Sequence, residues 1–349
     1  MKFLSPSFAF IILTIVIPVS LFAQKKEMVE VVKPANQKKI NVIIGGKPFT
    51  SFLYPDSLEK PVLYPVHAAN GTVVTRGFPL NMQPGDPTDH PHHVGVWFTF
   101  ENVNGLDFWN NSYAIPAEKK HSYGWIRTSS VREESTGTLG RIYYTAKWTD
   151  QQRKALLEEI TILEFTGTEH QRIIDRTTVL KADTNVLFTD AKDGLYGIRL
   201  AHALEIPTNK DQEFKDDKGN VTIVKGGTDK IPNGNYITSE GKAGDSAWST
   251  RGRWCKVFGK MENDSVSVTI IDHPANPNYP TFWHARGYGL FAANPLGEKI
   301  FTNGKSFKNL HLKNGESVTF RFRMVIDEGD KTVSTKELNM IADEFAKKK

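Results

Sequence analysis

Along the chain, apolar and polar positions alternate in short runs separated by turn residues. Asn41–Ile44 ends at Gly45 and Gly46, Arg141–Trp148 alternates throughout, and Ile160–Phe165 ends at Gly167. Arg172–Leu180, Val266–Ile271 and Ser317–Ile326 continue the series. In the last run Val318, Phe320, Phe322 and Met324 share one face, while Thr319, Arg321 and Arg323 share the other. A period of two with β-branched and aromatic enrichment predicts half-buried strands. Many such strands and few helical periods predict an all-β fold, a large antiparallel β-sandwich. One helix is expected at the end. Ser334 and Glu337 have capping-box spacing, and Leu338, Ile341 and Phe345 follow at helical intervals, so 335–347 reads as a helix packed on the sandwich. Asp150–Arg153 reads as a hairpin turn between two strands. The Gly-, Asp- and Asn-rich stretches 208–235 and 239–252 read as long surface loops, which in a compact domain are often functional.

The start of the chain has a different pattern. Lys2 precedes an apolar run from Phe8 to Val19, and small residues lead to Ala23, the order of a secretory leader. Pro18 interrupts the run, which falls short of a membrane span. The expected organisation is a signal peptide over 1–23, a flexible lead-in over 24–40, and one sandwich domain over 41–349. A periplasmic or secreted protein follows, with no membrane anchor after cleavage. Cys255 is the only cysteine, so no intramolecular disulfide can support the fold. The formal charge is +5, or +4 once Lys2 leaves with the leader. Lysine and glutamate are scattered rather than blocked, a balance that does not point to nucleic acid. A phosphate loop, a GxSxG elbow, an HExxH pair and a CxxC pair are all missing. That argues against nucleotide-driven chemistry, elbow-type serine hydrolysis and zincin chemistry.

Three segments concentrate chemistry. The first is Asp89–Trp97, with His90, His92 and His93 around Pro91. Imidazole suits acid–base work near neutral pH, and it suits metals. In an extended chain His90 and His92 would share one face and His93 would point to the other. A His-x-His pair supplies only two ligands, so acid–base use is preferred and no cofactor is expected. If the pair did chelate, His202, Glu240 or His284 would be the third donor. The second segment carries Asn104, Asp107 and Trp109; amides and carboxylates suit sugar hydroxyls, and an aromatic face suits a pyranose. The third runs from Asp272 to Gly289, where three prolines stiffen a loop leading to Trp283, His284 and Arg286. Lys192 and Asp193 sit at a glycine turn between the second and third. The first and third segments are expected to meet, with His92 or His93 in one pocket with His284 or Arg286.

The motifs at 90–98 (His-Pro-His-His-x-Gly-x-Trp-Phe), 104–109 (Asn-Gly-x-Asp-Phe-Trp), 273–277 (His-Pro-x-Asn-Pro) and 283–291 (Trp-His-x-Arg-x-Tyr-Gly-Leu-Phe) resemble those of the PmoA-like family of exported bacterial proteins. The resemblance covers nearly all of the chain after the leader. It implies a neighbourhood of polysaccharide utilisation. Val94 and Asn278 stand where the family usually has Arg, which removes a possible anion clamp. More weakly, Pro-His-His-x-Gly is similar to the histidine motif of galactose-mutarotase-like supersandwiches, whose histidines handle sugar ring oxygens on a concave sheet.

The expected function is a periplasmic carbohydrate-active enzyme acting on an oligosaccharide by hydrolysis, elimination or epimerisation. In that scheme His92, His93 and His284 are acid and base, and Arg286 and Lys192 stabilise negative charge. His90, Trp97, Asn104, Asp107, Trp109, Asp193, Glu240 and Trp283 hold the sugar. The alternatives are a non-catalytic glycan-binding protein and a metal-dependent oxidoreductase.

Overall fold

The computed structural model describes residues 25–215, 221–224, 231–330 and 332–348; the expected leader lies outside them. The chain begins with β1 (Val29–Val32), β2 (Lys39–Ile44), β3 (Lys47–Leu53), β4 (Val62–Val66) and β5 (Val96–Phe100). Four long strands follow: β6 (Trp125–Thr136), β7 (Leu139–Thr149), β8 (Ala155–Gly167) and β9 (Gln171–Ala182). Then come β10 (Val186–Phe188), β11 (Gly194–Arg199), β12 (Gln212–Lys215), β13 (Val221–Val224) and β14 (Asn235–Thr238). The last strands are β15 (Trp254–Met261), β16 (Asp264–Asp272), β17 (Phe282–Ala285), β18 (Leu290–Asn294), β19 (Leu310–Leu312) and β20 (Ser317–Gly329), before helix α1 (Thr335–Phe345).

Two eight-stranded antiparallel sheets carry the fold. The first runs β1-β2-β3-β4-β5-β11-β18-β17, and the second runs β14-β15-β16-β20-β9-β8-β7-β6. The alternation read from sequence is the alternation observed. Phe320, Phe322 and Met324 of β20 face the core, and Phe98 of β5 meets Phe320 at 6.0 Å and Trp148 at 6.4 Å between ring centroids. Each large side chain buried in this way contributes about 1.5–3 kcal/mol. A charged pair on neighbouring strands of the second sheet is buried at the core. Glu159 accepts from Arg176 at 2.6 Å, from the Tyr144 hydroxyl at 2.5 Å and from the Trp148 indole at 2.8 Å. Asp150–Arg153 forms the expected turn, closed by Arg153 N–H on the Asp150 carbonyl at 3.1 Å.

Each sheet also has an outer face. Over the second sheet lies α1, whose Leu338, Ala342 and Phe345 pack on Trp254, Ile271 and Val325. Its capping box is complete: Glu337 N–H donates to the Ser334 hydroxyl, and Ser334 N–H donates to the Glu337 carboxylate. Among the described residues, loops with short 3-10 turns and no α-helix cover the outer face of the first sheet. Among the described residues no helix is long and apolar enough to cross a membrane.

Two expectations need correction. The lead-in is not loose throughout, since Val29 and Val31 alternate inward and pair β1 with β2. The stretch 208–235 contains the hairpin β12–β13, so it is not wholly loop.

Candidate functional site

The site is built on one row of residues across the first sheet. Trp97 of β5 pairs with Gly197 of β11, Gly197 with Ala292 of β18, and Ala292 with His284 of β17. Their sequence neighbours Phe98, Ile198, Phe291 and Trp283 belong to the inter-sheet core. Alternation therefore puts the row on the outer face. The middle of the row is small for a reason. A Cβ at Gly197 would lie 3.0 Å from Trp109 and 3.1 Å from Trp97, so both indoles use the space that glycine leaves. Asp107 sets Trp109 there by accepting from the N–H groups of Trp109 at 2.9 Å and Asn110 at 2.8 Å.

The histidine segment is a turn laid over this floor, not an extended strand. His93 N–H donates to the His90 carbonyl at 2.9 Å, and His90 adopts φ +48°, a left-handed conformation that a non-glycine residue rarely holds. Gly95, at φ +57°, returns the chain to β5 where a Cβ would strike the Leu63 carbonyl at 2.1 Å. The turn gathers all three imidazoles instead of alternating them. Tyr288, His90, His93 and Trp97 form a near-parallel stack with centroid spacings of 5.6, 4.8 and 5.3 Å. His92 meets His93 edge-on at 4.3 Å.

Beneath the turn lies a buried charge cluster. Asp89 accepts from Arg76 at 2.9 Å and from both terminal nitrogens of Arg199 at 3.1 and 3.3 Å. Its Oδ2 also contacts His90 Nδ1. Burial alone would raise the Asp89 pKa. The His90 hydrogen bond and the two arginine charges outweigh it and hold the carboxyl well below the usual range. Asp89 is thus ionised, so His90 Nδ1 is the donor. The His90 side chain is 42% exposed while Asp89 is 1% exposed, so the free Nε2 edge faces solvent. His93 is oriented the opposite way. Its Nδ1 lies 3.3 Å from Arg199, which can only donate, so His93 carries its proton on Nε2. Burial first, then neighbouring positive groups, pushes both His92 and His93 well below the ordinary imidazole range.

Beyond Tyr288 opens a cleft of about 530 Å³, lined in part by Trp248, Asp245, Glu213 and Arg286. The Arg286 guanidinium lies 4.6 Å from the Trp248 ring and 5.7 Å from the Tyr288 ring. Trp248 in turn meets His284 edge-on at 4.7 Å. His284 Nδ1 is 3.5 Å from Asp193, whose other oxygen lies 3.4 Å from Lys192. Burial raises Asp193 to about 6 despite Lys192. Burial, Lys192 and Arg286 push His284 down.

The expected residues therefore divide. The first and third segments do meet, but through His90 on Tyr288. No cavity described has His92 or His93 lining it together with His284 or Arg286; His92 lines one and Arg286 another. His92 and His93 are buried, and His90, expected only to hold substrate, is the accessible imidazole. Trp97 and Trp109 are buried floor, and Trp283 points into the core, so none of the three presents a face to a sugar. Asn104 clamps the chain before β10, accepting from Leu187 N–H at 2.7 Å and donating to the Asn185 carbonyl at 3.0 Å. Glu240 is exposed in the turn after β14 and accepts from Ser239. Among the described residues, no three His, Cys, Asp or Glu side chains converge as a metal-binding group. Sequence reasoning gave no site role to Arg76, Arg199, Tyr288 or Trp248. Arg199 follows the glycine turn of Lys192 and Asp193, Tyr288 lies in the third segment and Trp248 in the loop 239–252; nothing local marked Arg76.

A family model described as a family of unknown function, DUF6807, matches residues 39–342. The chain belongs to that family. The matched stretch of this DUF6807 protein includes both sheets from β2 onward and every residue of the cluster. No curated protein matches it. Similar solved structures include the GH36 alpha-galactosidase AgaB from Geobacillus stearothermophilus, at 11% identity and TM-score 0.39 over 86% of this chain and 41% of that one. Slr1438 from Synechocystis sp. PCC 6803 is 8% identical at TM-score 0.37, over 89% of this chain and 98% of that one. The chain spans about two fifths of the galactosidase's length.

Proposed function

We propose that the outer face of the first sheet is an acid–base site for a sugar, with His90 as the group that exchanges the proton. The Asp89–His90 pair carries this reading. A buried carboxylate held ionised by two arginines fixes the imidazole tautomer and leaves Nε2 bare toward solvent. A base needs that arrangement, because the carboxylate stabilises the imidazolium that forms when Nε2 takes a proton. His284 with Asp193 is the second titratable pair, reached from His90 through Tyr288, Arg286 and Trp248. The same His90 imidazolium returns the proton to the product, while Arg286 stabilises negative charge developing on a sugar oxygen.

Support for a sugar comes from the cleft. The partly exposed rings of Trp248 and Tyr288 offer apolar faces, and Arg286, Asp245 and Glu213 supply polar partners around them. We read the protein as exported, from Lys2, the apolar run and Ala23. Its place is then in extracytoplasmic polysaccharide utilisation, in line with the PmoA-like resemblance.

Incubation with a panel of neutral and acidic oligosaccharides, followed by product detection, tests the reading. Conversion of at least one sugar is expected, together with a loss of about tenfold or more in affinity for Trp248→Ala, which removes a stacking face. Tight binding with no product would identify a glycan-binding protein instead, and no binding at all would remove the sugar.

A further inference from the structure

A second cavity, of about 310 Å³, is lined on one side by Pro91, His92 and Val94 of the histidine segment. Its walls are mainly apolar, formed by Leu58, Val62, Leu80 and Val94 with two prolines. At its inner end is Lys60, only 4% exposed. The Lys60 ammonium makes one hydrogen bond, to the Trp109 carbonyl at 2.8 Å, and stands 5.9 Å over the Trp97 ring. An ammonium has three donors. Glu59 and Asp107 influence it only through space, and Glu59, which also lines the cavity, is occupied 3.7 Å from Lys120. A buried cation with no carboxylate in hydrogen-bond contact is expensive, and the His92 imidazole that lines the same cavity is neutral. Burial correspondingly lowers the Lys60 pKa to about 8.

We propose that this cavity binds a small organic carboxylate, its head paired with Lys60 and its body against the apolar walls. One unpaired ammonium matches one negative charge. A phosphate dianion would need a second free cation, and Lys120 is taken by Glu59, Asn111 and the Ser112 carbonyl. A free sugar would leave its hydroxyls against Leu58, Val62 and Val94. The volume, about ten times the roughly 30 Å³ that one water takes in the liquid, leaves room for a small organic molecule. The site is distinct from the sugar cleft and does not depend on how that cleft works.

Calorimetry with 3-phenylpropanoate and its amide, two probes of equal size, tests the proposal. The carboxylate is expected to bind one to one, and the amide at least about tenfold more weakly. Affinity falls as pH rises past about 8, where the ammonium loses its proton. Lys60→Met keeps length and removes charge, and is expected to weaken binding by about tenfold or more. Leu80→Trp fills the mouth from a residue 42% exposed, so it tests occupancy without disturbing the core, and it too is expected to weaken binding. Equal affinity for acid and amide would overturn the proposal. So would unchanged binding in both Lys60→Met and Leu80→Trp, or no binding to the folded wild type up to about 10 mM.

Discussion

Two buried aspartates on the same face are shifted in opposite directions. Asp89 has two arginines and an imidazole around it, and ionisation is favoured. Asp193 has only a partly exposed lysine and a neutral histidine, and burial wins, raising it from 3.8 to about 6. The folded protein therefore binds the Asp193 proton more tightly than the unfolded chain. Ionisation weakens the fold as pH rises from 3.8 to about 6; the penalty is complete above that range and absent below it. Asp193→Asn is expected to stabilise the protein by about 1–3 kcal/mol near pH 8, at ~1.4 kcal/mol per unit, and to change nothing near pH 3. Urea unfolding at the two pH values reads this, and equal effects at both would contradict it. At this scale the sequence was legible in part. His90, His92 and His93 were visible as a cluster, but their order of importance was not. An extended chain was assumed where His90 takes φ +48°, and that one torsion turns His90 outward and buries the other two. Lys60 was missed because a lysine before Pro61 and an apolar strand looks like an ordinary solvated residue.

Among elements, the strands were the most readable. Each face of β20 and the turn after β7 follow directly from period-two spacing and local turn residues. The edge strand β1 and the hairpin β12–β13 were not readable, because short runs among lysines and glycines carry too few apolar positions to show a period. The terminal helix was readable because its cap and its apolar stripe both lie within a dozen residues. It closes the second sheet and lies outside the functional face. Ser334→Ala is expected to lower stability by about 1 kcal/mol, and Leu338→Ala by about 2–5 kcal/mol. Both are expected to leave ligand binding at the first sheet unchanged. A thermal or denaturant midpoint equal to wild type for Leu338→Ala would show that the helix does not close the second sheet as described.

For the whole molecule, the central fact is the asymmetry of the two outer faces. One is sealed by a helix with an apolar stripe, and the other carries a ring stack over a buried Arg–Asp–Arg cluster. The row Trp97, Gly197, Ala292, His284 joins strands that lie far apart in the chain, so no local pattern could have placed it. Only its tryptophan and its histidine were visible as isolated residues. In the function proposed here the working proton belongs to His90, the one histidine of the turn that is both oriented by an ionised carboxylate and open to solvent. The most direct measurement is a side-by-side comparison of kcat/KM for wild type, His90→Gln and His92→Gln on whichever oligosaccharide is converted. His90→Gln is expected to lose about 10²–10⁴-fold, the range for removing a general base, with His92→Gln within about threefold of wild type. Wild-type turnover in His90→Gln, or an equal loss in His92→Gln, would contradict the account.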